Sequence, residues 1–253
     1  NLIAIIAPTI GVFLILKRLA LIGNTLSHVA LAGIAMGLLL GIYPIYLAIV
    51  VSVFAALGIE RLRNKFNDYA ELSLSIILAA GLGIATILIS LSRNSAGIMS
   101  YLFGSITLVT KEDLYIVLPL AVVIISIIYM FFYGFFYLSF SEKDARLAGV
   151  PVRFLNVLFM IIISITIALS MRIVGGLLIA SLISIPVAVS LQLAHSFKQT
   201  IFYSVLTGIL SVNLGLILSF YYNLAPGGVI ILTNVFCFLL VVFIKYIIRR
   251  SKA

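Results

Sequence analysis

The chain has 253 residues, of which 64% are hydrophobic and only 9% charged. Soluble domains run at roughly 45–50% apolar and about 25% charged, so a soluble globular enzyme is excluded, because so few polar side chains do not cover a surface. The same figures exclude a disordered chain, and a single cysteine, Cys237, excludes a disulfide scaffold.

The 16 Lys and Arg outnumber the 7 Asp and Glu, for a net charge of +9. They sit in short clusters between long apolar runs and form no basic stripe, which argues for lipid and against nucleic acid as the surroundings. A bilayer core about 30 Å thick needs roughly 20 apolar helical residues. In chain order the apolar runs predict spans at 1–16, 24–42, 45–59, 72–91, 114–138, 154–171, 175–193, 200–221 and 229–248. Two long runs are divided by turn chemistry, at Gly41-Ile42-Tyr43-Pro44 and at Asn223-Leu224-Ala225-Pro226-Gly227-Gly228. The stretch 97–110, interrupted by Gly104, is too short to cross and reads as a re-entrant or interfacial helix. The fold class is therefore an all-α, polytopic membrane bundle of about 8–9 spans, with all of 1–253 in a single transmembrane domain. The first residue is Asn1, which predicts a short native start before it; no signal peptide is visible.

Placing Lys17 and Arg18 on the cytoplasmic side puts 13 of the 16 basic residues there; only Arg93, Lys111 and Arg172 fall outside. The expected C-terminus is cytoplasmic. Tyrosines near span ends, among them Tyr43, Tyr46, Tyr115, Tyr221 and Tyr246, fit an interfacial belt. No Gly-x-x-x-x-Gly-Lys-Ser/Thr phosphate loop occurs, so any ATP that drives transport must be hydrolysed by another subunit.

Three segments are candidates for chemistry. Asn24 and His28 are four residues apart and share a helix face. His28 is about 15 Å along the helix from Arg18, near half the membrane thickness. An imidazole there either lines an ion path, where it suits Zn, Mn or Fe, or simply hydrogen-bonds a neighbouring helix. The polar segment 140–151 holds Glu142, Lys143, Asp144 and Arg146, expected to stay wet, with Leu147 and Val150 able to dock on a partner; on spacing alone an ordinary solvated connector closed by Gly149 and Pro151 is the better reading. Asn223 lies either at an outer mouth or in a plain helix-helix turn. Arg172 is expected at the outer interface, and His195 in a cytoplasmic loop. Gly33, Ala35 and Gly37 predict tight helix packing, as do Gly175 and Gly176.

Taken in order, these pieces resemble the permease subunit of bacterial ABC-type manganese/zinc/iron importers. Arg18 through Gly33, with Gly23-Asn24-Thr25-Leu26-Ser27-His28 at its centre, resembles the family signature R-x-x-x-x-G-D-x-L-[AS]-H. Tyr101-Leu102-Phe103-Gly104 followed by Glu112-Asp113-Leu114, then Asp144-Ala145-Arg146-Leu147-Ala148-Gly149, Arg172 through Ala188, and Pro226-Gly227-Gly228 resemble later family segments. The resemblance implies a transport subunit with no catalytic site of its own, in the bacterial plasma membrane. It implies that the His28 region lines the path of a divalent zinc, manganese or iron ion, with no permanently bound cofactor. It implies a short cytoplasmic coupling helix in which Asp144, Ala145, Leu147, Ala148 and Gly149 meet a cytoplasmic ATP-binding subunit. The implied partners further include a second permease copy and an extracellular metal-binding lipoprotein or periplasmic binding protein. The sequence departs from the family at Asn24, where the signature has Asp, and again at Asn223, near a position where relatives often carry Asp. A neutral amide oxygen weakens resting affinity for a divalent cation. An importer of a metal chelate or organic cofactor is the alternative. A gradient-driven transporter would be expected to carry more ionisable groups in its spans, and no pair of carboxylates or nucleophile dyad suggests an intramembrane enzyme.

Overall fold

The punctuation visible in the sequence is where the helices of the computed structural model end. The structure describes residues 1–66, 70–92, 97, 101–104 and 111–251. Among them the elements are α1 (Leu2–Leu16), α2 (Ile22–Leu40), α3 (Pro44–Lys65), α4 (Ala70–Leu91), α5 (Lys111–Met130), α6 (Phe132–Phe140), α7 (Glu142–Leu147), α8 (Val152–Val174), α9 (Gly176–Leu193), α10 (Phe197–Tyr222) and α11 (Pro226–Ser251). The described residues contain no strand. Gly41 caps α2 with φ +68°, a left-handed conformation that glycine adopts without a Cβ clash, and Pro44 opens α3 at its first turn. Asn223 caps α10 at φ +51°, and Pro226 opens α11. Arg18 closes α1 at φ +59°, with the Leu19 N–H donating to the Leu14 carbonyl at 2.9 Å.

Among the described residues seven helices are long and apolar enough to cross a membrane, and Leu2–Leu16 and Leu178–Leu193 are shorter apolar helices, so the chain is a multi-pass membrane protein. One expected element differs. The span expected at 114–138 is two helices, interrupted at Phe131 (φ −101°, ψ 18°). Phe132 and Phe135 of α6 stack edge-on against Phe13 of α1, with ring centroids 6.2 and 6.0 Å apart. A run of aromatic residues has modest helix propensity, so this packing sets the backbone direction. Most of the stretch expected to be re-entrant, 97–110, lies outside the described residues. Within it Tyr101–Phe103 is helical, and Gly104 turns at φ +75° against the backbone of Val174 and Gly175. Arg93 lies outside the described residues, as does the side chain of Arg172.

The enclosed centre of the bundle is α2 and α8, while α4 and α11 are mostly exposed. α2 packs on α3, α4, α8 and α9, whereas α10 and α11 pack on each other, α1 and α9. The α2–α3 contact is backbone to backbone, since a Cβ on Gly33 would lie 2.7 Å from Ala48 Cα and one on Gly37 2.8 Å from Pro44 Cα. In lipid, where apolar surface gains little by leaving the solvent, such close approach supplies much of the cohesion.

Candidate functional site

Along α2, every residue from Ile22 to Gly37 is buried except Asn24, His28 and Met36. Asn24 and His28, four residues apart, share one lane about 6 Å apart along the axis, whereas Met36, eight residues beyond His28, lies about 80° round the helix from it, with buried Ala32 between them. The neighbouring polar side chains are satisfied within the helix: Ser27 Oγ donates to the Gly23 carbonyl at 2.7 Å and Thr25 Oγ1 to that of Leu21 at 3.2 Å. Among the described residues no side-chain hydrogen bond engages Asn24 or His28, so the bundle's central helix presents an amide, an imidazole and, further along, a thioether. Met36 is half-buried further along α2 and was not singled out by the sequence reading. Among the described residues no group of three or more His, Cys, Asp or Glu gathers.

The second candidate segment surrounds α7. Ser141 caps it, its Oγ accepting from the Asp144 N–H at 3.2 Å, and Gly149 ends it at φ +77°. Lys143, Asp144, Arg146, Ala148 and Gly149 are exposed, and Leu147 is 87% exposed. Beside them an open groove is lined by Arg146, Pro151, Arg153 and Phe154. Ala145, however, is fully buried and faces its own chain, and Val150 packs against the core.

Glu142, expected to be solvated, is drawn into a cluster with other elements. Its Oε1 accepts from Arg63 Nη2 at 3.0 Å and from Asn156 Nδ2 at 3.0 Å, with Lys17 Nζ 3.9 Å away. Lys17, just beyond α1, donates to Asn156 Oδ1 at 2.5 Å. Glu60 holds Arg63 at 3.1 Å and accepts from Asn64 at 3.1 Å. Burial is the main force on Lys17: dehydration and the nearby Arg63 outweigh Glu142 and Glu60, bringing its pKa from 10.5 to about 8. For Glu142, dehydration pulls upward, but Arg63, the Asn156 hydrogen bond and Lys17 together hold the carboxyl below its ordinary value. Sequence reading missed this cluster.

Asn223 is exposed and occupies the left-handed cap of α10, its N–H donating to the Ser219 carbonyl. It belongs to the α10–α11 pair, which packs away from α2. His195 lies in the exposed loop before α10, where its N–H donates to Gln199 Oε1 at 2.9 Å.

This architecture, many apolar helices with a polar lane on the most enclosed one and a short amphipathic helix at the basic end, defines a membrane permease. Residues 1–245 match the model of the ABC 3 transport family, and the chain belongs to that family. It is 38% identical over 248 residues to a probable metal transport system membrane protein of Treponema pallidum (strain Nichols), covering 98% of this chain and 93% of that one. It is 31% identical to the high-affinity zinc uptake system membrane protein ZnuB of Haemophilus influenzae, covering 95% and 93%, and 30% identical to the manganese import system permease protein ScaB of Streptococcus gordonii, covering 99% and 91%. Among solved structures it is similar to PsaBC from Streptococcus pneumoniae in complex with Fab, with a TM-score of 0.84, 30% identity, and coverage of 95% of this chain and 87% of that one.

Proposed function

We propose that the chain, acting as a single permease domain over residues 1–253, moves a divalent transition-metal ion into a bacterial cytoplasm, with zinc, manganese and iron as the cargo class. The observation that carries this reading is the lane on α2. A dication crossing an apolar core must exchange water for protein donors. Asn24 and His28 supply a neutral oxygen and an imidazole nitrogen about 6 Å apart along the axis, without a carboxylate to trap the ion. Weak, successive sites suit conduction, because an ion must leave as readily as it enters. The names of the zinc and manganese relatives favour the same cargo. Asn223 remains a candidate for the outer mouth.

The basic end, with the C-terminus, faces the cytoplasm. There a separate ATP-binding subunit docks on α7 through Asp144, Leu147, Ala148 and Gly149 and hydrolyses the ATP. Ala145 supports that surface from within, since it is buried in its own chain. A second copy of the permease places its own α2 lane across the path and doubles the donors. An extracellular metal-binding lipoprotein or periplasmic binding protein delivers the ion on the other side.

The test is His28→Ala. Uptake of radioactive zinc or manganese at limiting metal is lost, while membrane insertion and copurification with the ATPase subunit are retained. Full uptake by this variant refutes the assignment of the path.

A further inference from the structure

α7 is tied to the bundle by more than its chain connections. Glu142, its first residue, is bound through one carboxylate oxygen to Arg63 at the end of α3 and to Asn156 near the start of α8, both at 3.0 Å. Lys17 at the end of α1 closes the cluster, 2.5 Å from Asn156 and 3.9 Å from Glu142. A second attachment is aromatic. In α6, Phe135 lies 5.3 Å from Phe159 of α8, and Phe136 lies 4.9 Å from Phe197 of α10. Phe13 of α1 sits edge-on to Phe132, Phe135, Phe159 and Phe197. The α6–α7 unit is thus bonded to helices that lie far apart in the sequence.

Stability alone is a poor account of the charged half of this arrangement. Dehydrating ions opposes their attraction, and well-packed apolar residues often serve a fold as well or better. Lys17, with 5% of its side chain exposed, is held where burial disfavours its charge. Directional, charge-assisted bonds supply a fixed geometry between elements that greasy contacts leave free to slide.

The geometry points to a mechanical joint: Glu142 is a positioning residue through which displacement of α7 reaches α1, α3 and α8 together, without any contact with the cargo. The inference rests on the reading of α7 as the docking segment for the ATPase subunit.

It is tested on the permease copurified with that subunit and reconstituted in lipid vesicles, as wild type, Glu142→Gln and Glu142→Ala. Hydrogen exchange with and without ATP plus vanadate shows how far a nucleotide-driven change spreads. In the wild type it covers 140–156 and extends to 10–19 and 58–65. In Glu142→Ala it stops at 140–156. Glu142→Gln keeps the side-chain volume and an acceptor for Arg63 but loses the charge, and falls between. Metal transported per ATP hydrolysed drops about fivefold in Glu142→Ala, while hydrolysis itself stays within about twofold. Equal spreading in all three proteins, or an unchanged transport ratio, overturns the joint. So does disassembly of the complex in both variants, which marks a merely structural role. If the wild type shows the spreading but takes up none of zinc, manganese and iron, the joint stands and the proposed cargo fails.

Discussion

Lys17 gives a prediction whose sign and size follow from its surroundings. Its pKa is brought from 10.5 to about 8, first by dehydration and then by Arg63, with Glu142 and Glu60 opposing. A folded pKa lowered for a cationic group means that the unfolded chain holds the proton more tightly. Below pH 8 both states are protonated, and the folded state carries a constant penalty of about 3 kcal/mol. Between pH 8 and 10.5 the unfolded state alone keeps the proton, so this contribution makes the protein more stable as pH rises, by about 1.4 kcal/mol per unit. Above 10.5 the penalty is gone. The perturbation is Lys17→Met, which keeps the length of the side chain and removes the titration. The assay is equilibrium unfolding in mild detergent, followed by circular dichroism between pH 7 and 10 in both proteins. The advantage of the variant over the wild type should be constant up to about pH 8 and then shrink by about 1.4 kcal/mol per unit. A difference that stays flat from pH 7 to 10, or grows, shows that pairing with Glu142 and Asn156 fully offsets the dehydration, and refutes the reasoning.

Asn24→Asp restores a carboxylate to the lane, so half-saturation of metal uptake should fall about tenfold and maximal uptake should slow, because a charged donor releases a dication less readily; initial-rate uptake against metal concentration checks this, and unchanged kinetics remove Asn24 from the path. Gly33→Ala places a Cβ 2.7 Å from Ala48 Cα and 2.8 Å from the Leu47 carbonyl oxygen, both backbone atoms. Overpacking of this kind costs about 1–3 kcal/mol, seen as a lower melting temperature in detergent; a variant as stable as the wild type contradicts the close approach of α2 and α3.

What the sequence disclosed follows physical range. The ends of α2 and α10 were legible because glycine or asparagine at a left-handed position followed by proline is a local device, complete within four residues. The spans were legible because an apolar run between charges has few fates in lipid. The Asn24–His28 lane was legible because its period belongs to one helix. The Glu142 cluster was not, since its bonds join residues 79 and 139 positions apart and nothing in the segment 140–151 announces them. The break at Phe131 was hidden for the same reason: the rings that turn α6 aside belong to α1, α8 and α10. Ala145 falls on the docking face through the family resemblance alone, and a six-residue helix offers too few turns for its periodicity to show that it faces inward.

On the proposed function, the distribution of polar groups sets the conducting lane apart from the coupling segment and points to the element between them. Within the spans most hydroxyls are spent on their own helices: Thr86 donates to Leu82, Ser139 to Phe135, Thr166 to Ile162, Thr207 to Tyr203 and Thr233 to Val229, each a carbonyl one turn back. Such groups are closed to a passing ion, whereas the side chains of Asn24 and His28 are half-buried and make no such bond; Ser52 and Ser73 Oγ and Asn234 Oδ1 also have no hydrogen-bond partner but are fully enclosed. The charges of the joint are gathered at the basic end, where Lys17, Arg63, Glu142 and Asn156 meet. α3 is the element common to both. At one end Arg63 is bonded to Glu142, and towards the other Ala48 and Pro44 press backbone against Gly33 and Gly37 of α2. A contact without side chains between the backbones has little slack, because no rotamer change can absorb a shift. On the proposed coupling, movement imposed at Arg63 is therefore expected to reach α2, the helix that carries Asn24 and His28, together with α8, on which α3 also packs.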